Sequence, residues 1–571
     1  MKVAVVVQRY GADINGGAEQ HARYVAEHLG PQVQVEVLTT CAHHDYVSWK
    51  NELPEGVEQV NGIPVRRFPV SRERDPIEFS KISSRVFTET HSVNDELAWL
   101  EAEGPTSPAL VAYIRAHEAD YDFFIFFSVR YPHSFHGARA VPSKAIVVPT
   151  AERDSALGLG IYPPIFRGVR ALMYNSYEER ATIHGVAKNE SVPGVVVGVG
   201  SEIPERSNAG RFRQKYGMRD RFMIYVGRID ENKGCAELFE YFEHYSASLV
   251  DGMHLVLIGA PIIPIPRHDR IHHLGFVDDQ DKYDAMAAAE LLVMPSYLES
   301  LSMAALEAWA MGKPVLANAR CEVLQGQCIR SNAGLFYENF QEFSETLRAI
   351  DSSPTLQNVL GKNGRAFFER NYSWPVVVKK YTDMLERLSK ETPSHAMEPM
   401  PGWFARRRRS LQAADSIVKQ LPAGPYREPA QSPGGRGLQP SPDRPGLKPR
   451  PSTPSEQRPQ QSRPQFQSRP EQRGPRPQQG GRGPQQQGGR GLQQHGGRGL
   501  QPSPGDRPGQ KPRPSNQPQG PQAAKPANPQ QGPKPDQQGG RDQRGRDRRG
   551  RPQRRGRRPG GGGNGGNGGA K

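Results

Sequence analysis

The chain changes character at Lys390, and that break limits what can fold. Beyond it lie 34 of the 75 Lys and Arg but only 11 of the 60 Asp and Glu. Residues 1–390 therefore carry a formal charge of −8, and residues 391–571 carry +23. The basic part is rich in Pro, Gln, Gly and Arg and too poor in apolar residues to bury a core, so disorder is expected there. A mildly acidic folded body with a basic appendage is what the charge split leaves. The apolar run at Met1–Val7 is too short for a signal peptide, and no stretch approaches the roughly 20 apolar residues of a membrane span. Cys41, Cys235, Cys321 and Cys328 form no CxxC pair and have no zinc-finger histidines. A reduced, cytoplasmic chain is the expectation, with the inner membrane surface as a peripheral option.

Within the body, short β-branched runs alternate with amphipathic segments. Val3–Val7 reads as a buried strand, and Gly16–Leu29 as a helix with Ala18, Ala22, Val25, Ala26 and Leu29 on one face. Strands at Val33–Leu38, Phe123–Phe127, Ala145–Val148, Ala171–Tyr174 and Val195–Val197 leave room for helices between them. Gly194, Gly198, Gly200 and Pro204 then read as a hinge. The rhythm restarts with strands at Phe222–Val226, Leu255–Ile258, Leu291–Met294 and Val315–Ala317. Unbroken apolar strands alternating with helices predict parallel sheets covered on both faces. The expected fold class is α/β, two doubly wound Rossmann-like domains facing a cleft. The first spans 1–197 and the second 198–390, followed by the basic tail at 391–571.

Two segments carry chemistry. Gly227-Arg228-Ile229-Asp230-Glu231-Asn232-Lys233-Gly234 leaves the carboxyl end of a strand, where doubly wound folds place ligands. Arg228 and Lys233 suit a diphosphate, one as a planar fork and the other as a point charge; a surface turn with two solvated cations is the plain alternative. The second segment, Pro295–Trp309, follows the strand Leu291–Met294, with a helix expected to start near Ser300–Ser302 and offer its first N–H groups to phosphate. Glu299 and Glu307 are eight residues apart, about 12 Å along a helix. That span fits a sugar and a ribose joined by a diphosphate, though two solvated helix carboxylates share the spacing. Asp279-Gln280-Asp281 has a metal-type DxD spacing, but it stands where a helix begins and reads better as a cap. The absence of GxGxxG after the first strand disfavours a dinucleotide oxidoreductase.

Together these residues resemble the retaining family 4 glycosyltransferases of GT-B fold, over about residues 1–390. The loop Gly227-Arg228…Lys233-Gly234 resembles that family's donor-phosphate loop, and Glu299 with Glu307 its E-x7-E motif. Gly16-Gly17-Ala18-Glu19 is similar to its N-terminal glycine loop, and Tyr372-Ser373-Trp374 to the segment that crosses back onto the first domain. The resemblance implies that Arg228 and Lys233 stabilise the leaving diphosphate, helped by Gly227 and by backbone N–H groups at Leu301 and Ser302. It implies that Gly16 and Gly17 approach the donor, that Glu299 contacts the donor sugar, and that Glu307 holds the ribose. No cofactor or metal is implied, the nucleotide sugar being a substrate. One departure stands out. Many relatives carry a histidine after the strand ending here at Pro149, and this chain has Glu152, with Asp154 close behind. Either carboxylate takes over the donor-sugar contact, or the sugar is unusual, or activity is reduced.

The implied partners are a nucleotide-sugar donor and an unidentified sugar or lipid-linked acceptor. The tail repeats Gly-Gly-Arg-Gly-Leu-Gln-Pro-Ser-Pro at 434–442 and 496–504. Its charge suits RNA, an anionic membrane surface or an acidic polysaccharide; a solubilising tail without a fixed partner is the plain alternative. Between Trp403 and Leu421 a basic amphipathic helix is also expected, either on a membrane surface or packed on the body. The competing functional class is a polyanion-binding protein whose glycosyltransferase-like body only recognises a sugar nucleotide.

Overall fold

The structure, a computed structural model, describes residues 1–427 except Asn15, Val250, 394–396 and 398–409. The reading of residues 428–571 as a disordered, polyanion-binding tail lies outside the described residues.

Among the described residues two sheets organise the chain. The first contains β1 (Lys2–Val6), β2 (Gln34–Thr40), β3 (Gly56–Val60), β4 (Ile63–Phe68), β5 (Phe123–Phe127), β6 (Ala145–Val148), β7 (Ala171–Tyr174) and β8 (Gly194–Val196), in the order 3-4-2-1-5-6-7-8. The second contains β9 (Phe222–Val226), β10 (His254–Ile258), β11 (Ile271–His273), β12 (Leu291–Met294), β13 (Val315–Asn318) and β14 (Gly334–Tyr337), in the order 11-10-9-12-13-14. All pairings are parallel except the β3–β4 hairpin. Both faces of each sheet are covered, and the period-2 geometry of a strand shows it directly. Val3 and Val5 enter one apolar layer while Ala4 and Val6 enter the other; Met223 and Tyr225 separate from Phe222 and Ile224 in the same way.

The sequence reading passed over the β3–β4 hairpin because β3 is almost wholly exposed and has no buried run to betray it. Its signal was the Asn61-Gly62 turn, where both residues have positive φ, +48° and +80°. After the second sheet, a helix at Trp374–Lys390 returns to the first: Val377, Tyr381 and Leu385 lie in the same apolar layer as Val3 and Val5.

The compositional break at Lys390 is not the structural one. Residues 410–427 belong to the body, correcting the tail boundary drawn there. Leu411 forms an antiparallel bridge with His91, and the short helix Ala414–Lys419 buries Ala414 and Val418. That helix approaches Gly158 so closely that a Cβ there would stand 2.1 Å from the Ala414 carbonyl oxygen. Leu421 and Pro422 then accept hydrogen bonds from Arg153, each at 2.7 Å, and Tyr426 stacks on Tyr177. Of the two uses expected for this amphipathic stretch, the described residues take packing on the body, because apolar side chains at helical spacing find a surface there.

Candidate active site

In an open α/β sheet, ligands bind at the carboxyl ends of strands where the strand order reverses. The second sheet reverses between β9 and β12, and the two chemistry-bearing segments leave those two strands. After β9 the chain turns at Gly227, whose φ of +151° suits a residue without a Cβ. Tyr225 donates its hydroxyl to the Arg228 carbonyl at 2.7 Å, and Asp230 accepts from the Lys233 backbone N–H at 2.8 Å, so the loop is braced from within. Gly234, at φ +70°, lies against the Pro295 carbonyl, 2.1 Å from where a Cβ would stand. Glycine thereby lets the loop after β9 touch the loop after β12. At that contact Lys233 Nζ pairs with Glu299 Oε1 at 2.7 Å. Arg228, half exposed, pairs with Asp230 in its own loop.

Glu299 does not lie on the helix. Ser302 has extended backbone and caps the helix Met303–Ala310, accepting from the Ala305 N–H at 3.2 Å. Leu301 and Ser302 thus precede the first turn, and the 12 Å rise expected between Glu299 and Glu307 does not apply, because three residues ahead of the cap are not helical. Glu307 is buried and already engaged, with Lys282 Nζ at 3.1 Å and the Tyr283 hydroxyl at 3.0 Å. The DxD segment is a helix start: Asp278 accepts from the Asp281 N–H at 2.7 Å, and Asp281 binds Lys215 and the Tyr216 hydroxyl.

The first domain supplies the opposite wall. Glu152 faces Lys233 and Glu299. Burial pushes its carboxyl up to about 7, with Lys233 opposing the shift and Glu299 adding to it. Asp154 is occupied elsewhere: it accepts from Arg130 Nη1 at 2.8 Å and caps the turn Ser155–Gly158. Of the two carboxylates expected as sugar contacts, the structure brings only Glu152 to Lys233 and Glu299. Gly16 leaves room for Glu19, whose Oε2 would be 2.2 Å from a Cβ at that position and whose carboxylate holds Arg9 at 2.7 Å. A Cβ at Gly17 would meet nothing within 4 Å, so space does not require glycine there. His133 is buried, with Nε2 3.1 Å from the Phe127 carbonyl, while His136 pairs with Glu101 away from Lys233.

The family model for "Glycosyl transferases group 1" matches residues 208–367, the span that carries both loops of the second sheet. This segment is a group 1 glycosyl transferase domain. The curated relatives it matches are distant. The GDP-mannose-dependent monoacylated alpha-(1-6)-phosphatidylinositol monomannoside mannosyltransferase of Corynebacterium glutamicum is 28% identical over 125 residues, 20% of this chain and 32% of that protein. The MMP alpha-(1->4)-mannosyltransferase of Mycolicibacterium hassiacum is 29% identical over 124 residues, 21% of this chain and 29% of that protein. The chain thus spans about a third of the length of these curated relatives. Among solved structures, a sucrose-phosphate synthase from Thermosynechococcus elongatus superposes with a TM-score of 0.51. The match covers 68% of this chain and 99% of that one at 18% identity, and it shows the two-domain GT-B fold.

Around the glycosyltransferase domain the structure adds residues that sequence reasoning missed. Glu179 is wholly buried and accepts backbone hydrogen bonds from Ala151 at 2.7 Å and Asn175 at 2.5 Å; burial lifts its carboxyl to about 8. It fixes the loop that presents Glu152. Glu178, beside it, accepts from both terminal guanidinium nitrogens of Arg330, at 2.5 and 2.8 Å, joining the two domains. Arg153 reaches across to Glu322 at 2.5 Å. Glu178-Glu179 resembled any acidic helix start, and only the fold places them at the cleft.

Proposed function

We propose that this protein transfers a sugar from a nucleoside-diphosphate donor to an acceptor hydroxyl, with retention of anomeric configuration and without a catalytic metal, in polysaccharide or glycoconjugate synthesis. The observation carrying this reading is the meeting of Lys233, Glu299 and Glu152 at the reversal point of the second sheet. Lys233 and Arg228 are cations placed where negative charge grows on the departing diphosphate, which is where positive charge accelerates transfer. The helix start at Leu301–Ser302 adds backbone donors for the same oxygens, and Gly16, Gly17 and Gly227 let backbone approach the donor. Glu299, paired with Lys233, accepts from donor-sugar hydroxyls, and Glu307 exchanges one of its present partners for the ribose. Glu152 takes the second sugar contact. By front-side attack, the route the resemblance implies, the acceptor arrives on the leaving-group face. Its oxygen bonds to the anomeric carbon as the bond to the diphosphate breaks, and its proton passes to the departing diphosphate.

GDP-mannose is the first donor to test, because the Corynebacterium relative is named for it. A thermal-shift screen of GDP-, UDP- and ADP-sugars, followed by NMR of the product anomer, tests the reading. Stabilisation by one donor class and an axial-to-axial or equatorial-to-equatorial outcome are expected. Turnover is also expected to persist in EDTA; loss restored only by magnesium or manganese overturns the metal-free part. The proposed role of residues 428–571, from their formal charge of +20 (28 Lys and Arg against 8 Asp and Glu), is attachment to a polyanion, with binding that weakens log-linearly in salt.

A further inference from the structure

Beside the glycine loop, two loops of the first domain bring three metal-type side chains together. Asp13 lies between β1 and the first helix, and His43 and His44 follow β2. His43 Nε2 stands 2.9 Å from Asp13 Oδ1, and His44 Nε2 stands 3.5 Å from Asp13 Oδ2. One ligand atom from each residue falls within 4.8 Å of the others. A tetrahedral zinc ion with bonds of about 2.0–2.1 Å sets its ligand atoms about 3.3 Å apart, and each histidine already stands near that distance from one oxygen of the Asp13 carboxylate.

Two further observations favour an ion over a chance cluster. The site has a floor: a Cβ on Gly11 would stand 3.0 Å from His43 Nε2 and 3.1 Å from Asp13 Oδ1, so any larger residue would crowd the donor atoms. The histidine backbone is also held in advance. Glu52 Oε2 accepts from the N–H groups of His43 and Asp45, at 3.2 and 2.9 Å, and Arg9 donates to the His43 carbonyl at 2.6 Å. A site built this way spends little ordering entropy when it closes on an ion.

We infer that Asp13, His43 and His44 form a site for a first-row divalent cation of the zinc class, with a fourth position open to water or a ligand. Two imidazoles and one carboxylate suit zinc, cobalt or nickel better than magnesium or calcium. The ion would tie the glycine loop before the first helix to the loop after β2. Arg9 already ties the start of the first helix, through Glu19, to the loop after β2, through the His43 carbonyl. This site is independent of the diphosphate chemistry proposed above, which draws its positive charge from Arg228 and Lys233.

The test uses the full chain and reads the ion rather than turnover. Co²⁺ is titrated by visible absorption, then Zn²⁺ by calorimetry, on wild type and on Asp13→Asn, His43→Ala and His44→Ala. The wild type is expected to take one equivalent of Co²⁺ with the intense visible band of a low-coordinate site, displaced by Zn²⁺. Each variant is expected to lose the band or to bind Zn²⁺ about tenfold or more weakly. Zn²⁺ should also raise the melting temperature of the wild type but not of His44→Ala. His44 is mostly exposed, so its removal does not threaten folding. A wild type that binds Zn²⁺ no more tightly than His44→Ala, or a cobalt band unchanged in all three variants, overturns the assignment.

Discussion

The two domains meet at one cleft but contribute to it by different means. The second domain concentrates its chemistry in two short loops beside the sheet's reversal point, where Lys233 and Glu299 pair directly. The first domain works through carboxyls with partners 24 or more residues away in sequence: Glu179 holds Ala151, Arg130 ties Asp154 to Glu103, and Glu152 is presented as a result. One half is a local motif on a scaffold, whereas the other is a site assembled by the scaffold. The same contrast decides which substitutions should strike chemistry and which should strike stability.

The largest effect is expected in the second domain. Lys233→Ala and Arg228→Ala should each lower kcat at least about a hundredfold, or about 2.7 kcal/mol of transition-state stabilisation, with melting temperature nearly unchanged. Steady-state rates close to wild type in both variants would break the comparison at its strong end. Next comes Glu179→Gln in the first domain, with an effect on stability rather than on the leaving group. A carboxyl raised to about 8 in the fold from about 4.5 outside it supports the native state fully below the lower value. That support is lost as pH rises through the higher one. Wild-type melting temperature should therefore decline between about pH 5 and 8, and Glu179→Gln should flatten the decline. A parallel decline in both proteins would remove Glu179 from the account.

A smaller effect is expected for Glu152→Gln. With its carboxyl near 7, the wild type should gain activity as pH rises through neutrality if the ionised form contacts the sugar, and the amide should erase that limb of the kcat/KM profile. An identical profile in the variant would leave Glu152 without a role in donor contact. The smallest effect separates the body from the tail. Deleting 428–571 should leave turnover and melting temperature unchanged. Deletion from residue 410 should cost about 2 kcal/mol through the exposed bed of Val418 and Ala414, measured by denaturant unfolding.

What could be read beforehand follows the same division. The loops after β9 and β12 were legible because a strand, a glycine turn and fixed charges occur within ten or fifteen residues. Glu299 was found, but the 12 Å span counted it as helical, whereas a helix start near Ser300–Ser302, matched by the cap at Ser302, leaves it outside the helix. Asp154 was chosen for its proximity to Glu152, yet its engagement by Arg130 depends on a contact 24 residues away. The interdomain pair of Glu178 with Arg330 spans 152 residues and had no local signal at all. For residues 410–427 the helical spacing was legible and packing on the body was one of its two readings, but the basic, proline-rich residues around it set the boundary at Lys390.

The packed segment at 410–427 also has a mechanical meaning. Whatever holds the chain beyond residue 427 loads first the Tyr426–Tyr177 stack and then the carbonyls of Leu421 and Pro422 that grip Arg153. Arg153 is the neighbour of Glu152, and it also grips Glu322 across the cleft, as does the Gly424 N–H at 2.9 Å. A pull strong enough to peel the segment away would therefore release one interdomain tether and loosen the loop that presents Glu152. Linkage makes the relation run both ways: a donor that tightens the cleft resists that pull by the same free energy with which the pull would weaken donor binding.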